Sequence, residues 1–330
     1  MQQREFRHYK FQRWSPAVLC VALVCASQWS GVRIVGAQET RVQRAATAAR
    51  EIDELARRAM NAACAEREAD PQGSAPIDEM QARPSLPSGH AEVVAGAERA
   101  ERLLPIAKTL AAESLRGLLR EYGIRESPVT RAALARLAGV RTVKPDMELR
   151  DNASVLYKEP RTIRFGTIFL AGLRSDEGML SVLAHELTHV ADGAGGSLNP
   201  LFRAVSRAAT GRAAGLQRIT SRRGEELTCD LVGALAVRAY IARTPGVETL
   251  TRRTARALAH NCVEHDHTDR THLSPRTTMR ALLTLDPAFA REITGEPPPQ
   301  ASAPPIVVAP ARRTTRRAAH RVAPRVAPRR

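Results

Sequence analysis

Along most of the chain the apolar positions recur every three to four residues, the period of an amphipathic helix. Between 39 and 69, Ile52, Leu55, Ala59 and Ala62 fall at this spacing among charged residues and predict one long helix. Residues 70–90 crowd Pro71, Gly73, Pro76, Pro84, Pro87 and Gly89 together and read as a linker. The helical pattern resumes over 91–122, where Pro105 is expected to divide it. Ser127-Pro128 has the form of a helix start, a serine cap followed by proline in the first turn, and Gly139 closes that helix. Residues 161–171 (RTIRFGTIFLA) are rich in β-branched and aromatic side chains and predict a strand. Ser175-Asp176-Glu177 then opens a helix with a broad apolar face from Met179 to Ala191, closed at Gly193. Residues 193–224 are glycine-punctuated and basic and read as a surface loop, or as a lid or flap. A further helix follows over about 225–242. The expected fold is mainly α with a small β-sheet, of the α+β class.

Composition adds constraints. The chain has 330 residues, 43% hydrophobic and 25% charged, enough for a buried core. Aromatic residues make up only 4%, which argues against a nucleic-acid module built on stacking platforms. The formal net charge of +16 is concentrated at the ends. Residues 296–330 carry eight arginines against Glu296 and read as a disordered Pro/Ala/Arg tail, suited to an anionic envelope surface.

At the other end, Arg4, Arg7, Lys10 and Arg13 precede the apolar run PAVLCVALVCA. This is the pattern of an export signal over 1–37, with cleavage near Ala26 or Ala37. It predicts a bacterial periplasmic or extracellular protein with no membrane span left after cleavage. Cys64, Cys229 and Cys262 then remain, enough for one disulfide and a free thiol. Cys229 and Cys262 can pair; the alternative is a small buried Cys229 beside the neighbouring helix. The expected organisation is a helical N-terminal region over 38–149, a second domain over 150–295, and the tail over 296–330.

The chemistry lies in His185-Glu186-Leu187-Thr188-His189, an H-E-x-x-H set inside the apolar helix. One helical turn brings two imidazoles to one face, about 5–6 Å apart at Cβ, within reach of a single Zn²⁺. Glu186, one position on, can take a proton from metal-bound water. Stranding these polar groups in a buried helix without a ligand would be costly. A third protein ligand is required, and Glu226 and Asp230 begin the next helix on a shared face. Glu226 can ligate, while Asp230 can accept a hydrogen bond from a ligand histidine, His185 first among them. Taken alone, such acids are equally what a helix N-terminus favours.

SVLAHELTHVAD followed by SRRGEELTCDLVGALAV resembles the Ste/HtpX/Oma family of zinc metallopeptidases, which are gluzincins. That family carries H-E-x-x-H and then E-x-x-A-D, often preceded by Ser-Arg; here Cys229 stands where alanine is commoner. RFGTIFLAGLRSDEG resembles the segment before the family's active helix, and Thr271-His272-Leu273-Ser274-Pro275-Arg276 resembles its closing Thr-His-Pro motif with the proline displaced. The resemblance spans about 150–285. It implies an endopeptidase fold with one zinc held by His185, His189 and Glu226. It also implies that His272, Arg276 or Arg280 steadies the oxyanion.

The function expected is zinc-dependent endopeptidase action on polypeptides, the peptide pairing along the strand edge near Ile163–Ala171. The alternative is a non-catalytic envelope-binding protein in which zinc is only structural. A nucleic-acid partner is disfavoured, resting on charge alone. His260, His265, His267 and His272 crowd a polar stretch that reads as a solvated loop, with a second metal site as the alternative.

Overall fold

The computed structural model describes residues 31–70, 73–213, 216, 219–264 and 270–297, with backbone alone for 31–42. The expected signal up to residue 30, the tail from 298, and His265 and His267 lie outside the described residues. In chain order the helices are α1 (Gly31–Ala69), α2 (Ile77–Ala82), α3 (Ala91–Glu121) and α4 (Pro128–Leu137). Strands β1 (Thr142–Asp146), β2 (Ala153–Val155) and β3 (Thr162–Gly166) follow, then α5 (Thr167–Gly172), α6 (Asp176–Asp192), α7 (Asn199–Arg212) and α8 (Ser221–Arg243). The described chain closes with α9 (Leu250–Arg256), a 3-10 turn (Ala259–Asn261), α10 (Pro275–Leu285) and α11 (Pro287–Thr294). The protein is mainly helical with one small mixed sheet, an α+β fold.

α6 is the centre. Ser175 caps it, its Oγ accepting from the Gly178 N–H at 3.0 Å, and Gly193 ends it at φ 62°. Every residue of α6 is buried except Asp176 at its start and His185 and His189. A helix so enclosed must be packed all round, and α8, α3 and α4 do this. Gly233 lets α8 come close: a Cβ there would lie 2.6 Å from the Ser181 carbonyl oxygen. That approach brings the first turns of α8 alongside the two histidines.

Several expectations fail locally. Pro105 does not divide 91–122; α3 runs through it unbroken. The proline is exposed, so the backbone carbonyl it leaves unbonded is not stranded in the core. The strand expected over 161–171 is β3 only as far as Gly166. Thr167 to Gly172 are all buried and form α5, an uninterrupted apolar run whose period does not separate strand from helix. The expected linker is docked in part: Gly73 to Pro76 are buried, and the Ala75 N–H donates to the Gly172 carbonyl at 3.0 Å. Where a loop or lid was expected over 193–224, α7 packs on α8 through Leu201, Phe202, Val205 and Ala209.

In the sheet, β3 is central, parallel to β1 and antiparallel to β2. β1 thus lies on the N-terminal side of residue 150 and pairs with a strand beyond it. Buried side chains from both sides of 150, Leu103 and Leu115 among them, join one hydrophobic cluster with α6 and α8.

The disulfide joins Cys64 to Cys262, tying α1 to the segment after the 3-10 turn. The Cys229–Cys262 pairing is therefore excluded, and Cys229 is a buried free thiol facing His189. The crosslink closes a span of 198 residues, so C64S or C262S is expected to lower stability by about 2–4 kcal/mol in denaturant unfolding. A non-reducing peptide map linking Cys229 to either partner would contradict this assignment.

Candidate metal centre and cleft

His185 and His189 project from one face of α6, and Glu226 reaches them from the second turn of α8. The two Nε2 atoms lie 3.2 Å apart. Glu226 Oε2 is 3.3 Å from each of them. A tetrahedral ion about 2.0–2.1 Å from each donor separates its donors by roughly 3.3–3.4 Å. The triangle has the dimensions such an ion needs. The outer nitrogens are held as well. His185 Nδ1 donates to Asp230 Oδ1 at 2.7 Å, and His189 Nδ1 to Glu225 Oε1 at 3.1 Å. Both Nε2 lone pairs are thereby turned toward the same point when the rings are neutral.

A second set competes. Ligand-capable atoms of His185, His189 and Cys229 also lie within 4.8 Å of one another, a possible metal-binding triad. Cys229 Sγ, however, is 3.8 Å from His189 Nδ1, on the side of the ring already given to Glu225. Burial pushes the Cys229 thiol up, partly offset by the two histidines. Glu226 Oε2, by contrast, lies on the side where the two Nε2 atoms face each other, 3.3 Å from both.

The charges point the same way. Burial alone would depress both imidazoles. Yet Asp230 and Glu226 raise His185 well above its ordinary value, and contacts with Cys229, Glu225 and Glu226 raise His189. Burial opposes ionisation of Glu226, but hydrogen bonds from His185, His189 and His272 hold it well below the usual carboxylate range. Burial raises Glu186, partly offset by the histidines. Carboxylates packed against two imidazoles call for positive charge between them, whether protons on the rings or a metal ion.

The site opens into a cleft of about 640 Å³, lined also by Glu186, His272, Val155, Tyr157, Asn199 and Arg222. His272 Nε2 is 3.4 Å from Glu226 Oε2, and its Nδ1 meets Thr271 Oγ1 at 2.7 Å. Of the three oxyanion candidates only His272 lines this cleft. Arg280 pairs with Asp53 of α1 at 2.6 Å, and Arg276 borders a separate groove beside Cys64 and Cys262. These two are set aside because their positions on α10 face α1. His260 is half-buried and is pulled down to about 4 by desolvation, with Asp230 and His185 near enough to act on it; it does not line the cleft.

The expected strand edge also moves. Both edges of β3 are occupied, the outer edges of the sheet are those of β1 and β2, and of the two it is β2 whose Ala153–Val155 line the cleft. Sequence reasoning missed β2, the role of Glu225 and the placing of Tyr157 and Arg222. A three-residue strand leaves almost no pattern, whereas Glu225, adjacent to Glu226, could have been suspected as the partner of the second histidine. No family model, curated protein or solved structure matches the chain.

Proposed function

We propose that this protein is a zinc-dependent endopeptidase, and the observation that carries the reading is the Nε2–Nε2–Oε2 triangle of 3.2–3.3 Å beside a buried glutamate in an open cleft. His185, His189 and Glu226 hold the ion, and Asp230 and Glu225 fix the two ring orientations. Zinc, when bound, supplies a Lewis acid that polarises the scissile carbonyl and lowers the pKa of the attacking water.

The chain's own groups do the rest. The outer edge of β2 aligns an extended peptide by backbone pairing. Glu186, held in a desolvated wall, accepts the proton of the attacking water and passes it to the departing amine. His272 Nε2–H, oriented by Thr271, donates to the carbonyl oxygen as it gains charge. The resemblance to the Ste/HtpX/Oma metallopeptidases supports the same roles. It also fits an exported protein acting in the cell envelope or outside the cell, where the arginines of 296–330 would favour anionic surfaces. No described helix is long and apolar enough to cross a membrane.

The test is metal removal. Zinc-loaded protein is expected to cleave unfolded casein, to lose that activity on dialysis against a chelator, and to regain it with one equivalent of Zn²⁺. Equal cleavage by the metal-free protein would end the proposal.

A further inference from the structure

Some of the described arginines are paired with carboxylates and others, at the cleft and elsewhere on the surface, are not. Arg102, Arg238, Arg243, Arg256 and Arg280 each hold a carboxylate of another element. Those at the cleft do not. Arg222, in the first turn of α8, is exposed and lines the cleft, yet no described carboxylate lies within ion-pair distance of it. Glu225 and Glu226, three and four residues on, would be its natural partners on a helix; both are turned to the histidines instead. Asn199, at the start of α7, lines the same cleft. Arg203 and Arg207 follow it at four-residue spacing, so all three share one face of α7. Both arginines are exposed and neither is in an ion pair among the described residues. A row of unneutralised guanidinium groups therefore leads out of the cleft along α7.

We propose that the cleft selects peptides with acidic side chains flanking the bond to be cut, Arg222 contacting the residue nearest that bond and Arg203 and Arg207 more distant ones. This rests on the endopeptidase reading for what happens at the bond, but not for the binding itself. Guanidinium and carboxylate match as paired donors and acceptors. The ligand is a peptide rather than a nucleic acid because the outer backbone edge of β2 also lines the cleft, and Tyr157 is the one Phe, Tyr or Trp among the described residues lining it.

The experiment uses the full chain carrying Glu186→Gln, loaded with zinc, so that bound peptide stays intact. Two fluorescein-labelled dodecapeptides share a central Ala-Leu bond and differ only in bearing two Glu or two Lys on each side of it. Binding is followed by anisotropy at about 20 and about 500 mM NaCl. The Glu peptide is expected to bind roughly tenfold more tightly than the Lys peptide at low salt, with the ratio shrinking at high salt. Arg222→Gln is expected to cut that ratio at least threefold, and Arg203→Gln/Arg207→Gln to reduce it further.

A ratio near one, or a ratio that Arg222→Gln leaves intact, would overturn the proposal, the second result placing the binding elsewhere on the basic surface. So would an oligothymidylate of equal charge that displaces the Glu peptide better than unlabelled Glu peptide does. The two readings separate cleanly. Casein cleaved by the wild type with a ratio near one sinks the substrate preference alone. An Arg222-dependent ratio without any cleavage sinks the protease reading and leaves the acidic ligand standing.

Discussion

Glu186→Gln is expected to retain one zinc per chain and to lower casein cleavage by about 10²–10⁴-fold. Glutamine fills the same space on α6 and cannot accept the water's proton. Glu186 donates nothing to the donor triangle, which His185, His189 and Glu226 form among themselves at 3.2–3.3 Å. Zinc content and activity should thus separate in this variant. Loss of both together would mean that Glu186 serves the fold or the ion rather than the proton transfer. Unchanged activity would remove it from the chemistry.

The second large effect concerns stability. Glu177 lies in the first turn of α6 and is buried, its Oε1 accepting from Arg253 Nε at 2.8 Å. Arg253 is itself buried on α9, and stacks over Tyr240 with its guanidinium carbon 5.6 Å from the ring centroid. Its remaining donors go to the Thr244 carbonyl and hydroxyl. Glu177→Ala would leave a guanidinium charge in the interior without its counter-ion, a change that typically costs about 3–5 kcal/mol. Denaturant unfolding is expected to show a loss of that order, while replacing Glu177 and Arg253 together by apolar residues should restore part of it. A loss below about 1 kcal/mol for Glu177→Ala would mean that Thr244 and Tyr240 suffice to hold the arginine.

The reach of sequence reasoning follows from how much of each feature is local. α6 was legible because its apolar run and its two histidines lie within one segment of 17 residues, with its caps Ser175 and Gly193 directly on either side. Glu226 and Asp230 were legible because a four-residue spacing on the next helix is also local, and both now stand against the histidine pair. The sheet was not legible. β1 holds Pro145 and a single apolar residue, Val143, and β2 has three residues, so neither carries a pattern that survives without β3 beside it. α7 was hidden for a different reason: its core residues Leu201, Phe202, Val205 and Ala209 have helical spacing, but the segment around them is punctuated by glycines and arginines, a composition that loops share. The disulfide partner of Cys262 could not be read at all, since its choice of Cys64 depends on α1 folding back along α9 and α10. The same holds for Arg280, which faces α1 and Asp53 rather than the cleft.

The centre stands or falls on which third residue completes the histidine pair. Zinc stoichiometry of the wild type, Glu226→Ala and Cys229→Ala, measured by atomic absorption after dialysis, decides it. The wild type and Cys229→Ala are expected to hold one equivalent each, and Glu226→Ala to lose most of its metal. A Glu226→Ala protein that keeps its zinc beside a Cys229→Ala protein that loses it would contradict the assignment and hand the third position to the thiol.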